Sequence, residues 1–210
     1  MAASPATVFV VDDDPSVLKG LARLLRSAGW QAATFASPEE FLRNHDPSSP
    51  GCLILDVSMP GLDGLALQRR LSDAGSARPI VFLTGHGDVP TSVKAMRAGA
   101  LNFLSKPVDD DKLLAAVGEA VEVDRVTRSA GSEAAEARRR LATLTPRERQ
   151  VLDGVVAGKM NKRIADELGV VEKTVKVHRA QVMDKMGTRS LAELARMAER
   201  MGITGSGRRR

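Results

Sequence analysis

The 210-residue chain is poor in cysteine: it has one, Cys52. A lone thiol closes no internal disulfide and supplies no cysteine-based zinc site, which points to a reducing, cytoplasmic setting. No apolar run approaches the ~18 residues a spanning helix needs, so no membrane crossing is expected. Residues Met1 to Thr7 lack the basic start and apolar stretch of a secretory signal. No internal repeat stands out. What is present, 43% hydrophobic and 27% charged residues, is the balance of a globular protein long enough for one large or two small domains.

Charge is unevenly spread. Residues 1–125 hold 12 Lys/Arg against 16 Asp/Glu, net −4, and residues 126–210 hold 19 against 10, net +9. Two domains with different partners are expected, and nucleic acid is the first polyanion to consider for the basic half.

The first half alternates strand and helix signals. Thr7–Val11 is a short β-branched run of the kind buried on both faces of a sheet. Pro15 to Ala28 has helical spacing (Val17, Leu18, Leu21, Leu24, Leu25) and stops at Gly29. Gln31–Phe35 reads as a strand, and Ser37-Pro38 opens a helix with a serine cap and proline in the first turn. Strands follow at Cys52–Leu55, Pro79–Leu83 and Asn102–Leu104, and helices at Leu62–Leu71, Val89–Ala98 and Asp109 to about Val123. Five βα units imply a parallel sheet covered on both faces. Residues 125–142, rich in Ala, Arg, Ser and Glu, read as a partly helical linker. Beyond it the pattern is all helical. Thr145-Pro146-Arg147-Glu148 forms a capping box, Asn161 caps a short helix ending at Gly169, Val171-Glu172 opens a helix to about Met186, and Ser190 caps a last one to about Met201. Such short turns between helices contain a helix-turn-helix geometry. A basic tail, 205–210, is expected to be flexible.

In a parallel αβ sheet, ligands sit beyond the carboxyl ends of the strands. Those ends carry Asp12-Asp13-Asp14, Asp56, Thr84 and Lys106-Pro107. Any one acid is explained as a loop or helix cap; several converging carboxylates repel one another, and a hard divalent cation such as Mg2+ offsets that repulsion. A carboxylate beside magnesium is a nucleophile toward phosphorus. Asp56 would attack, Lys106 would neutralise a phosphoryl oxygen and the Thr84 hydroxyl would hydrogen-bond another.

These residues, with Met59-Pro60-Gly61 after Asp56, resemble the receiver domain of two-component response regulators over residues 1–124. The resemblance implies a phosphoacceptor at Asp56. It implies Mg2+ held by Asp13, Asp56 and the Ser58 backbone carbonyl, with Asp12 acting through water. It also implies a cis Lys106–Pro107 peptide and switch residues Thr84 and Phe103, the latter otherwise a plain core phenylalanine. Ser58 and His86 stand where the family tunes phosphate lifetime.

On the helix opened by Val171, Val175, Val182 and Met186 share an inward face, while Lys173, Lys176, Val177 and Ala180 lie opposite, flanked by Thr174 and Arg179. Basic and small apolar groups on one face suit a major groove, where lysine meets guanine or phosphate and valine a thymine methyl. The preceding helix would cross the backbone with Lys162 and Arg163 near phosphates. A solvated charged face is the plainer alternative. His178 reads as an inward packing residue. The stretches Leu144–Glu148, Asn161–Ala165 and Thr174–Arg179 look like the LuxR-type helix-turn-helix, over about 143–203. Ala180 stands where some relatives carry a base-reading lysine.

Together the halves resemble the NarL/FixJ group, most closely FixJ-like members, given Thr84-Gly85-His86-Gly87-Asp88-Val89-Pro90 and His178-Arg179-Ala180. The implied architecture is a CheY-like (βα)5 doubly wound parallel-sheet receiver (1–124), the linker (125–142), an all-α four-helix LuxR-type helix-turn-helix domain (143–204) and the tail. The implied function is that of a transcription factor, not an enzyme beyond its own phosphorylation and dephosphorylation. A sensor histidine kinase would phosphorylate Asp56, and a homodimer would then bind double-stranded promoter DNA and engage RNA polymerase. The last helix, through Leu191, Leu194, Ala195 and Ala198, is a candidate dimer surface or plain core. Two alternatives stand beside this: a magnesium-dependent phosphohydrolase using the Asp12-x-Asp14 spacing, and a regulator that binds RNA or ignores phosphorylation.

Overall fold

The computed structural model describes residues 5–85 and 89–203. His86, Gly87, Asp88 and the basic tail lie outside the described residues, as do Met1 to Ser4.

Five strands, β1 (Thr7–Val11), β2 (Gln31–Phe35), β3 (Gly51–Leu55), β4 (Ile80–Thr84) and β5 (Asn102–Ser105), form one sheet in the order β2-β1-β3-β4-β5. All neighbours are parallel. Helices α1 (Pro15–Ser27), α2 (Pro38–Asn44), α3 (Gly64–Asp73), α4 (Val89–Arg97) and α5 (Asp110–Ala142) follow the strands in turn. The two-residue period of a strand sends successive side chains to opposite faces. Phe9, Val11, Leu53, Leu55 and Phe82 therefore join Phe41 of α2, Leu67 of α3 and Ala95 of α4 in one core layer. Val8, Val10, Ile54, Val81 and Leu83 meet Leu21 and Leu25 of α1 and Leu113 and Val117 of α5 in the other. This is the doubly wound arrangement expected, with element ends shifted by one or two residues.

One boundary differs. The expected helix of about 15 residues followed by a partly helical linker is a single helix, α5, of 33 residues. Its Ala, Glu and Arg content, read as linker-like, is that of a strong helix former, and Glu136 pairs with Arg140 one turn on. The chain divides into two compact units near residue 129 rather than at 124. Buried polar contacts account for the difference. The Asp124 carboxylate, itself buried, accepts from Gly51 N at 2.8 Å and from Arg128 Nε at 2.8 Å. Arg128 donates further to the carbonyls of Ser48 and Ser49, both at 2.9 Å. Buried Arg78 grips the same loop through the carbonyls of Asp46 and Ser49, and its guanidinium lies 4.3 Å from the centre of the Phe9 ring.

The second unit contains α6 (Pro146–Val156), α7 (Asn161–Leu168), α8 (Glu172–Met186) and α9 (Leu191–Arg200). Val151, Ile164, Ala165 and Val175 form one small core, and Leu152, Val182, Met186 and Leu194 another. The capping box is made: Glu148 N donates to Thr145 Oγ1 at 3.3 Å and Thr145 N to Glu148 Oε2 at 2.7 Å. Asn161 does not cap α7. Met160, in extended conformation, holds the cap position without a side-chain bond. The Asn161 side chain instead accepts a hydrogen bond from Arg179 of α8.

Glu148 also ties α6 to α8 through Lys185 Nζ at 2.6 Å. Lys185 first, and then the Thr145 N–H, hold its carboxyl below the usual glutamate range. A depressed carboxylate stabilises the fold above its unfolded pKa of about 4.3 and loses that contribution as pH falls through the lower, folded value. The Glu148→Gln variant is therefore expected to melt lower than wild type at pH 7, with the gap closing in acid. Melting curves across pH 3–7 on the order of one per unit check this.

Candidate functional site

Register builds the first site. Val11 pairs with Leu55, so Asp12 and Asp56, the next residues of adjacent strands, emerge side by side at the carboxyl edge. Thr84 pairs with Ser105, which brings Lys106 to the same edge. Lys106 N donates to the Thr84 carbonyl at 2.7 Å, and the Lys106–Pro107 peptide is cis. The Lys106 ammonium bridges both carboxylates, 2.5 Å from Asp12 Oδ2 and 3.0 Å from Asp56 Oδ1. Asp12 Oδ1 accepts from Asp14 N at 3.0 Å, and Asp56 Oδ2 from Ser58 N at 2.7 Å. Gly64 opens α3 against this loop: a Cβ there would overlap the Asp56 carbonyl. Glycine is thus required for the helix to approach so closely, a constraint the sequence reading missed because it depends on a contact across the loop.

Asp12 and Asp56 are buried and Thr84 is fully buried, whereas Asp13 and Ser58 are exposed at the rim. Burial pushes the Asp56 carboxyl up, more than Lys106 and the Ser58 N–H pull it down. Burial pulls the Lys106 ammonium down, but the two carboxylates outweigh that and raise it. Phe103 is half-buried, its ring 5.9 Å from that of Phe82. The Asp14 carboxylate is spent elsewhere: it caps α1, accepting from Ser16 N at 2.8 Å. That leaves the Asp-x-Asp spacing of the phosphohydrolase alternative without its second carboxylate in the pocket.

Among the described residues no three His, Cys, Asp or Glu side chains converge as a metal cluster. Of the residues expected around Mg2+, Asp12 and Asp56 are drawn together by the Lys106 ammonium, and Asp13 and Ser58 are exposed. The donor chemistry nonetheless fits magnesium. The ligands are all oxygen, magnesium needs only one or two carboxylates and keeps its waters, and two buried carboxylates face a single ammonium.

The second site is the outer face of α8. Val175, Val182 and Met186 are buried. Lys173, Lys176, Val177 and Ala180 are exposed, and Thr174 and Arg179 are half-exposed. Lys162 and Arg163 are exposed on α7, Arg163 lying 3.4 Å from Glu167. His178 is half-exposed, with Nδ1 3.1 Å from Gln181 Oε1, so it flanks the helix instead of packing inward. In α9, Leu194 and Ala198 are core, Ala195 is half-buried and Leu191 is 40% exposed.

An aspartate–lysine pocket at the edge of a five-stranded sheet, followed by a helix-turn-helix unit, defines a signal-dependent DNA-binding regulator. Residues 8–118 match the model of the response regulator receiver domain, and residues 142–198 that of the luxR family of bacterial regulatory proteins. Nodulation protein W of Bradyrhizobium diazoefficiens is 47% identical over 203 residues, covering 97% of this chain and 89% of that protein. Transcriptional regulatory protein FixJ of the same organism is 43% identical over 196 residues, 93% and 96% of the two chains. The solved structure of response regulator StyR superposes with a TM-score of 0.86 at 46% identity, covering 93% of this chain and 99% of that one. The chain belongs to the FixJ-like two-component response regulators, with a receiver domain and a LuxR-type DNA-binding domain. Phosphorylation-driven regulation of transcription is the role of that family.

Proposed function

We propose that Asp56 is the phosphoacceptor and that its phosphorylation by a sensor histidine kinase controls promoter binding. The observation that carries this is the Asp12–Lys106–Asp56 arrangement, two buried carboxylates on one ammonium at the carboxyl edge of the sheet. An Asp56 oxygen attacks the phosphorus of a phosphohistidine. The P–N bond breaks, the imidazole leaves, and a P–O bond to the aspartate forms. Lys106 neutralises one phosphoryl oxygen as a point charge. Asp13, Asp56 and the Ser58 carbonyl would hold Mg2+, with Asp12 acting through water. Bound magnesium supplies the further positive charge that phosphoryl transfer needs.

The phosphoryl group draws the Thr84 hydroxyl toward it and lets half-buried Phe103 turn in against Phe82. Switches of this kind shift an equilibrium by about 1–3 kcal/mol. The modified chain pairs as a homodimer. Two copies of α8 then meet duplex DNA half-sites about one helical turn apart, with Lys173, Thr174, Lys176, Val177 and Arg179 toward the groove and Lys162 and Arg163 toward phosphates. Work in the cytoplasm, contact with RNA polymerase and a lack of enzymatic turnover on other substrates complete the reading. Genome-wide footprinting with and without acetyl phosphate tests it: protected, two-fold-related half-sites are expected to gain occupancy with the donor. Identical footprints in both samples would reject control by phosphorylation.

A further inference from the structure

Residues 119–141 fall between the two family matches, yet the end of α5 is built onto α8. The last four carbonyls of a helix lack intrahelical partners. At the end of α8 one of them, that of Met186, accepts from Arg140 Nη1 at 3.0 Å. Arg140 is steadied from its own helix by Glu136, Oε1 to Nε at 2.8 Å. The next residue after Met186 is Gly187, at φ +64°, where a Cβ would overlap the Arg140 guanidinium. Glycine there provides the left-handed turn that ends α8, and a side chain in its place would push the guanidinium aside. A second link runs from Lys185 Nζ to the Thr143 carbonyl at 3.3 Å. Between these links Leu141 packs against the core cluster of Leu152, Val182 and Met186.

We infer that Arg140, held by Glu136, is a positioning residue for DNA recognition: it clasps the carboxyl end of α8 and sets how that helix is presented to the base edges. This rests on the reading of α8 as the helix that enters the groove. A positive group at a helix carboxyl end is favourable, but Glu136 and Arg140 are both half-exposed, so the ion pair by itself contributes little to stability. Its effect is geometric. A small displacement of α8 affects base contacts, which need bidentate or close apolar fit, far more than phosphate contacts, which tolerate it.

The test uses the full-length chain with acetyl phosphate and magnesium. Two probes are compared across a salt series: a duplex enriched by the wild-type protein from a randomised pool, and a scrambled duplex of equal length. Arg140→Ala is expected to weaken binding to the enriched duplex about tenfold, leave the scrambled duplex within about twofold, and keep the salt slope. Arg140→Lys, which keeps a donor for the Met186 carbonyl, is expected to recover most of the loss. Glu136→Gln, which leaves the guanidinium in place and an acceptor beside it but removes the negative charge that holds both Arg139 and Arg140, is expected to lose affinity in the same sense to a smaller degree, and it carries the test if Arg140→Ala does not fold. Equal losses on both duplexes with a slope shallower by about one would make Arg140 a phosphate contact and overturn the inference. No change on either duplex would overturn it too. Lys176→Ala in the same assay separates the two readings. If it weakens the enriched duplex while Arg140→Ala and Glu136→Gln leave the ratio of the two probes unchanged, the clasp alone fails. If it and Lys173→Ala and Val177→Ala are all silent, α8 is not the reading helix and the clasp falls with it.

Discussion

Asp56→Asn is expected to abolish labelling of the chain by acetyl phosphate with magnesium, and with it any gain in promoter binding on adding the donor. The amide has the shape of the carboxylate but no anionic oxygen to attack phosphorus. The loss is chemical, not structural. Burial raises the Asp56 carboxyl above its ordinary value. A carboxyl raised in the folded state contributes stability below its unfolded pKa and loses it as pH rises through the folded value, so near neutrality the ionised group is a cost to the fold. Asparagine carries no such charge, and it still offers an acceptor to Lys106. The variant is therefore expected to melt no lower than wild type at pH 7. Labelling that survives in a folded Asp56→Asn chain would move the acceptor to another residue of the edge, Asp12 or Asp13.

Lys176→Ala is the second large effect, a loss of about 1–3 kcal/mol on the cognate duplex, or roughly 5- to 150-fold in affinity. Lys176 is exposed on α8, and its ion pair with Glu172, at 3.5 Å, is a solvent-exposed pair one turn apart. Such a pair contributes only about 0.3–0.5 kcal/mol to the helix, so the fold is not at stake. The pattern of the loss identifies what Lys176 touches. A loss confined to the cognate sequence means a base contact. A uniform loss on every sequence, with a salt slope shallower by about one, means a phosphate. Titration of wild type and variant against cognate and scrambled duplexes over a range of salt separates these outcomes, and a flat salt response in wild type would count against groove docking altogether.

Much of this was legible in the residues. Thr7–Val11 is a strand because five consecutive apolar or β-branched residues have no other economical burial, and the two-residue period then assigned Val8 and Val10 to one layer and Phe9 and Val11 to the other. Ser37 caps α2, and Thr145 and Glu148 form the capping box of α6, as local chemistry dictates. Asn161 shows the limit of local reasoning. It has the right side chain for a cap, but Arg179, 18 positions away, competes for its oxygen. Asp14 is the converse: met in a run of three acids, it looked available to the site, and the start of α1 claims it.

Chain chemistry alone determined the two-domain order, the strand edges that carry Asp12, Asp56, Thr84 and Lys106, and the polar face of α8, because each follows from periodicity or from a cap within a few residues. Folding in three dimensions decided three further matters. One ammonium unites Asp12 with Asp56, α5 continues through the stretch that reads as a linker, and Arg140 meets the end of α8. The first and the last depend on contacts between residues 46 to 94 positions apart, whose partners compete with local ones at energies of about 1 kcal/mol. Which partner wins is settled only when strand register and helix packing bring the groups within reach.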